Sequence, residues 1–308
     1  MHDHLAATTR ATTRRPVTSA RRRPQLHGPT WRLRRTARRG ARGRRPTHGE
    51  MCRVQPLVVP ARFNGPPASG NGGWVSGRLA ALLDPAPADA VQVVLRSPPP
   101  LDVPLQLQLG ADGGLSVWSG DAPVASANRV PSPFRGPAPA EVSFEAAQAA
   151  AATYAGARDH PFPTCFVCGP DRAPGDGLRF APGRLDDRPA ETAAAWVPDA
   201  SLADDGTGAV DLASCWAALD CPGGWALDLI GRPMVLGTMT AQVRTLPHVG
   251  GRYVVVGRAL DRVGSAAGTG SRKARTETAL YDVDAPGAPL ARATAIWLRV
   301  DPAAVRPV

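Results

Sequence analysis

The feature that most constrains this 308-residue chain is that one order of elements is written in it twice. In the first half a strand is expected over Val54 to Arg62. The glycine-rich stretch FNGPPASGNGG follows, then a helix from about Gly72 to Asp84, with Asn71 placed to cap it. Strands are expected over 91–96, 103–110, 115–120 and 122–130, separated by Pro-Pro-Pro and Asp-Gly-Gly turns. A Pro-rich linker and an Ala-rich helix over Glu141 to Gly156 lead to the second half. There HPFPTCFVCGPDR precedes strands over 177–185 and 190–198, one helix, and four long strands over 235–247, 252–264, 274–283 and 289–300. Several of these strands alternate apolar and polar residues, as in Arg275-Thr276-Glu277-Thr278-Ala279-Leu280-Tyr281, which marks a half-buried antiparallel sheet. A lone helix between such strands buries its apolar face by lying across the sheet.

The helix of the second half, Ala209 to Gly224, holds the most informative residue. It reads as about three turns stopped by Pro222 and a Gly pair. At about 100° per residue, Leu212, Ala213, Cys215, Trp216, Ala217 and Leu219 share one broad face. Asp220 falls inside that face, between Trp216 and Ala213. A carboxylate turned toward a core costs several kcal/mol unless it is paired or hydrogen-bonded.

The net charge of +10 belongs to a tail. Residues 1–50 hold fourteen Arg and no Lys against Asp3 and Glu50, a net +12. The remainder holds 22 basic and 24 acidic residues, so the globular part is nearly neutral and the pI of 10.5 is no argument for nucleic-acid binding. The tail is too polar to offset its ordering entropy. Met51 stands where the composition changes, so 1–50 reads as an extension outside the native protein or as a disordered tail; a nucleic-acid arm or a transit peptide is the functional alternative. No run of 18 apolar residues suggests a membrane span, and no apolar h-region suggests a secretory signal. Five Cys, an odd count, argue against a disulfide framework and for a reducing cytoplasm. The organisation expected is a tail (1–50), a first unit (51–135), a linker with an Ala-rich helix (136–159) and a second unit (160–308).

These motifs resemble the hotdog fold, in a double form. SGNGGWVSGRLAALL followed by VQVVLRSPPPL resembles the start of the acyl-CoA thioesterase II type, where a Gly-Gly pair opens the central helix and a strand ending in Arg-x-Pro comes next. CFVCGPDRAPGDGLRF and WAALDCPGG resemble the phenylacetate-pathway-like thioesterases, which often begin Cys-Phe-x-Cys-Gly and carry a working carboxylate on the helix. The resemblance covers roughly 54–130 and 160–301. It implies an α+β double hotdog, two central helices each wrapped by antiparallel sheet. It also implies that Asp220 is the catalytic acid and that Asn71, Gly72 and Gly73 form the helix start that donates to an oxyanion. The second helix has no glycine pair at its start; Asp211 stands nine residues before Asp220, where that family has His. The Asp-x4-His pattern of some hotdog hydratases is absent.

Thioester hydrolysis needs an activated water or a nucleophile, and N–H donors for the developing oxyanion. Gly72 and Gly73 suit the second need, since a helix start offers free N–H groups and glycine admits close approach. Asp220 suits the first, as base or nucleophile. The expectation is one composite site joining Asp220 to the Asn71–Gly73 turn. The competing reading makes Asp220 a structural acid that caps Gly223 or Gly224 or pairs with an Arg, and the glycines a simple turn. Trp216, Arg78, Arg272 and Lys273 are candidate ligand contacts. The preferred reading of each is the plainer one: Trp216 as core or tunnel wall, Arg78 as an arginine that snorkels to the edge of its helix, and Arg272, Lys273 and Arg275 as an exposed loop end. Cys165-x-x-Cys168 supplies two of the four ligands of a structural zinc site; His160, Cys215 or Cys221 would complete it only if the fold brings them close. The simpler reading is a tight turn with small buried thiols, so no metal and no cofactor is expected.

The function expected is acyl-CoA thioester hydrolysis in the cytoplasm, by a monomer or a dimer of the double unit. The alternatives are a non-catalytic protein that binds acyl-CoA or another apolar ligand, and an interaction protein with a vestigial site.

Overall fold

The computed structural model describes residues 55–203, 206–260 and 272–301. The expectations for residues 1–50, for Val54 and for the end of the strand over 252–264 lie outside the described residues.

Helix α1 (Gly72–Leu82) starts where predicted, because the Asn71 side chain accepts the Trp74 N–H at 2.8 Å. Strands β1 (Ala90–Leu95), β2 (Gln106–Leu109), β3 (Leu115–Ser119) and β4 (Ala122–Val130) follow, then helix α2 (Phe144–Ala150). The second half contains β5 (Gly183–Arg184), β6 (Glu191–Trp196), α3 (Leu212–Ala218), α4 (Cys221–Trp225), β7 (Met234–Val243), β8 (Tyr253–Ala259), β9 (Lys273–Asp282) and β10 (Ala291–Arg299). The strands form one antiparallel sheet of ten, in the order β2-β3-β4-β1-β7-β10-β9-β8-β6-β5. The halves meet where β1 pairs with β7, Val93 opposite Met239.

Period-2 alternation assigns the two faces of this sheet. In β8, Tyr253 and Val255 join the main core under the central helices, while Val254 and Val256 join a small second cluster with Ala147 and Ala150 of α2. Helices cover both faces there, so the strand reads as an unbroken apolar run.

Helices α1 and α3 pack side by side, and glycine sets their separation. A Cβ on Gly77 would lie 2.6 Å from the Ala213 Cα, and one on Gly73 would lie 2.6 Å from the Asp220 Cβ. Trp216 and Leu79 are fully buried in this contact layer. Truncating a side chain like Trp216 to Ala costs about 3–5 kcal/mol.

Four expectations need correction. Residues 55–62 form no strand; Leu57 makes a single bridge to Leu105, and Ala61–Phe63 is a 3-10 turn. Pro56 and Pro60 each lack the N–H that a ladder needs. The strand over 177–185 shrinks to Gly183–Arg184. The helix over 141–156 is helical only at Phe144–Ala150, followed by 3-10 turns.

The most consequential correction concerns 209–224, which is two helices. α3 ends at Ala218, and Pro222 sits in the first turn of α4, where its missing N–H costs nothing. The glycine pair lies inside α4 because the helix presses on the sheet. A Cβ on Gly223 would meet Thr276 at 2.7 Å, and one on Gly224 would meet Trp297 at 2.6 Å. Sheet threonines take up carbonyls at the break: Thr278 Oγ1 donates to Leu219 O at 2.8 Å and Thr192 Oγ1 to Pro222 O at 2.6 Å.

Candidate active site

The break between α3 and α4 places Asp220 against the start of α1. Asp220 is 3 % exposed. Its Oδ2 accepts the Gly73 N–H at 2.9 Å and the Asn71 Nδ2–H at 3.2 Å. Its Oδ1 is buried with no hydrogen-bond partner among the described residues. Burial is the main cause that raises this carboxyl from its ordinary 3.8 to about 7; the Cys165 charge adds to the rise, while the Gly73 and Asn71 hydrogen bonds oppose it.

Asn71 serves both helices. Its Oδ1 caps α1, its Nδ2 donates to Asp220, and the same nitrogen lies 3.9 Å from Cys165 Sγ. This geometry differs from the expectation at one point. The Gly73 N–H is bound to the carboxylate, so the donor left at the helix start is that of Gly72, the first N–H of a helix and one with no intrahelical partner.

These groups line a cavity of about 490 Å³. Its apolar wall includes Leu95, Phe162, Met234, Leu236 and Trp297. Its polar wall holds Asn71, Gly72, Asp220, His160 and three thiols, Cys165, Cys168 and Cys221. Three exposed arginines, Arg96, Arg272 and Arg299, also border it.

Of the ligand contacts expected from sequence, Arg272 lines this cavity and three do not. Trp216 is buried between the helices. Arg78 is exposed on α1 with its Cζ 5.8 Å from the centre of the Trp74 ring, so it snorkels. Lys273 is exposed at the start of β9. Arg299 went unread because it stands at the end of a strand without a motif around it, and Arg96, the Arg of the Arg-x-Pro that ends VQVVLR, reads in the sequence as a mark of the resemblance and not as a ligand contact.

The thiols form a compact group. Cys165 Sγ and Cys221 Sγ are 3.8 Å apart, and all three sulfurs lie within 4.8 Å of one another. Hydrogen bonds from the Cys168 and Cys221 thiols hold Cys165 well below the usual thiol range; burial pushes Cys168 up, and the bonds to Cys165 push Cys221 up. His160 Nε2 is 3.3 Å from Cys168 Sγ, and the Trp225 indole N–H donates to the same sulfur at 3.4 Å. The Tyr154, His160 and Trp225 rings pack edge to face behind the thiols. Burial lowers the His160 pKa, so the ring is neutral near pH 7.

Among the described residues no helix is long and apolar enough to cross a membrane. The sequence matches no protein-family model and no curated protein. Solved structures do resemble the chain. The tesB protein MAP1729c of Mycobacterium avium subs paratuberculosis is 14% identical, over 80% of this chain and 91% of that one, with a TM-score of 0.49. A conserved hot dog fold protein of Alicyclobacillus acidocaldarius is 14% identical, over 81% and 92%, with a TM-score of 0.44. The PaaI protein of the E. coli phenylacetic acid degradation operon is 10% identical, over 36% and 74%, with a TM-score of 0.31. The large antiparallel sheet with few helices fits a hotdog fold.

Proposed function

We propose that this protein is a double hotdog that hydrolyses an acyl thioester, with coenzyme A as the leaving thiol, at a site shared by its two halves. The observation that carries this reading is the Asp220 carboxylate. One oxygen is anchored by Gly73 and Asn71 of the first half, and the other is buried and unpartnered in a residue that lines the cavity.

The chemistry runs through that second oxygen. Asp220 Oδ1 takes a proton from water as the water oxygen attacks the thioester carbonyl carbon. The carbonyl oxygen becomes an oxyanion beside the Gly72 N–H, favoured by the positive end of the α1 dipole. The intermediate collapses, the C–S bond breaks with its electron pair going to sulfur, and Asp220 returns the proton to the thiolate. A carboxylic acid and a free thiol leave. The apolar wall suits an acyl chain, and Arg96, Arg272 and Arg299 suit phosphates.

One observation favours a second reading, a cavity that binds an acyl thioester without cleaving it. The Gly73 N–H, a candidate oxyanion donor, is committed to Asp220. A panel of acyl-CoA esters of different chain length, followed by free-thiol release, separates the two. Release by the wild-type protein and its loss in Asp220→Asn supports hydrolysis. Thermal stabilisation by an ester without release supports binding alone. If neither occurs, both readings fail.

A further inference from the structure

We infer that Cys165, Cys168 and Cys221 bind one zinc ion, with its fourth coordination position open to the cavity. This inference is independent of the hydrolase reading. It concerns three thiols that the proposed reaction does not use, and it reverses the expectation of no metal drawn from residue spacing.

The distances carry it. Zinc–sulfur bonds of about 2.3 Å at the tetrahedral angle separate two ligand sulfurs by about 3.8 Å. Cys165 Sγ and Cys221 Sγ stand at 3.8 Å, and Cys168 Sγ lies within 4.8 Å of both. A disulfide needs its sulfurs about 2.05 Å apart, and these cysteines are free. Three thiols this close, all buried, repel one another once more than one is ionised. A divalent cation removes that repulsion by taking up three thiolates as their protons leave. Soft sulfur ligands select zinc and other thiophilic metals over hard cations such as magnesium and calcium.

The surroundings fit thiolate ligands. Phe162 N–H donates to His160 Nδ1 at 2.8 Å, so Nδ1 is the ring's acceptor and the ring proton belongs on Nε2. Nε2 faces Cys168 Sγ at 3.3 Å. His160 therefore stands as a donor to the sulfur, and Trp225 supplies a second N–H to it at 3.4 Å. Two N–H groups aimed at one sulfur orient a ligand thiolate, the supporting role that hydrogen bonds play around metals. The protein ligands then number three. A closed structural site has four, whereas three with an open position is the arrangement of a reactive zinc. Because all three cysteines line the cavity, the fourth position falls to water or to a donor atom of whatever enters.

The test uses the full chain, grown with added zinc and analysed for metal. About one zinc per chain is expected, tight enough to survive gel filtration. After stripping with a chelator, Co²⁺ should give thiolate-to-cobalt charge-transfer bands and intense tetrahedral d–d bands. Zinc should then displace the cobalt. Cys221→Ser and Cys168→Ser should each weaken zinc affinity at least tenfold. Cys215→Ser, in α3 but outside the triad, should retain the wild-type affinity. The wild-type cobalt spectrum needs no variant, so it decides the matter if a triad variant does not fold. A purified chain that neither carries zinc nor takes it up would overturn the inference. So would a weak octahedral cobalt spectrum, or a folded Cys221→Ser that keeps the metal.

Discussion

The Gly73 N–H donates to the Asp220 carboxylate at 2.9 Å across 147 residues of sequence. A Cβ at residue 73 would lie 2.6 Å from the Asp220 Cβ, closer than real contacts allow, and 3.0 Å from the Trp216 carbonyl oxygen, a tight contact. Glycine is needed here for close approach between two helices. Gly73→Ala should therefore destabilise the protein by about 1–3 kcal/mol through overpacking, and should cut acyl-thioester hydrolysis further by moving Asp220. Gly136→Ala meets nothing within 4 Å and should change neither melting temperature nor rate. Equal effects of the two substitutions would show that the α1–α3 contact does not position the acid.

The start of α1 was legible because its signals are local: an Asn that caps the third N–H beyond it, and two glycines. Asp220 was legible because an acid on an apolar helical face needs a reason. The break beside it was not, since Pro222 serves equally as a stop and as the first turn of a new helix, and only packing on the sheet decides between them. The third thiol is, in the sequence, only one of three candidates, with His160 and Cys215, and nothing there chooses between them. Cys221 is 56 residues from Cys165 and meets it through the α3–α4 break. Spacing reports ligands that sit on one turn, and says little about those that tertiary structure delivers.

The break depends on two buried threonines. Thr278 and Thr192 donate to the Leu219 and Pro222 carbonyls that flank Asp220 and α4. Replacing either by Val keeps the shape and leaves a buried carbonyl short of a donor, a cost of about 1–3 kcal/mol. Thr278→Val should also lower kcat more than KM, because it loosens the acid without touching the arginines. Chemical denaturation and steady-state kinetics on the two variants check this. A loss of stability with unchanged kcat would make the threonines purely structural.

Arg96, Arg272 and Arg299 border the cavity from the residue after β1, the residue before β9, and the end of β10. If they meet the phosphates of a CoA ester, substitution by Gln should raise KM at low salt and leave kcat nearly unchanged. Each exposed contact is worth little alone, so the triple substitution should exceed any single one, and added salt should shrink the difference. A thioester that lacks the nucleotide, such as an acyl-N-acetylcysteamine, should not distinguish the variants from the wild type. If it does, the arginines act on something other than phosphate.

Asp220 links stability to rate through pH, and chelator-stripped protein isolates the effect. Its carboxyl is raised from 3.8 to about 7 in the folded protein, mainly by burial. The folded state thus holds the proton more tightly than the unfolded chain does. The stability this gives is fully present below about pH 4 and is lost as pH rises toward about 7, a change on the order of 4 kcal/mol. Asp220→Asn keeps the shape without the charge and does not share this loss. The difference in stability between Asn and wild type should therefore grow in favour of Asn from about pH 4 to about pH 8. Hydrolysis by the wild type should run the other way, rising with pH around a midpoint near 7 as the base ionises. The acid would then work best where it destabilises the fold most. Denaturation curves and rate profiles on one stripped preparation test both halves of this statement. A stability difference that does not vary with pH would mean that Asp220 is already ionised at low pH, and that the cavity does not withhold its charge.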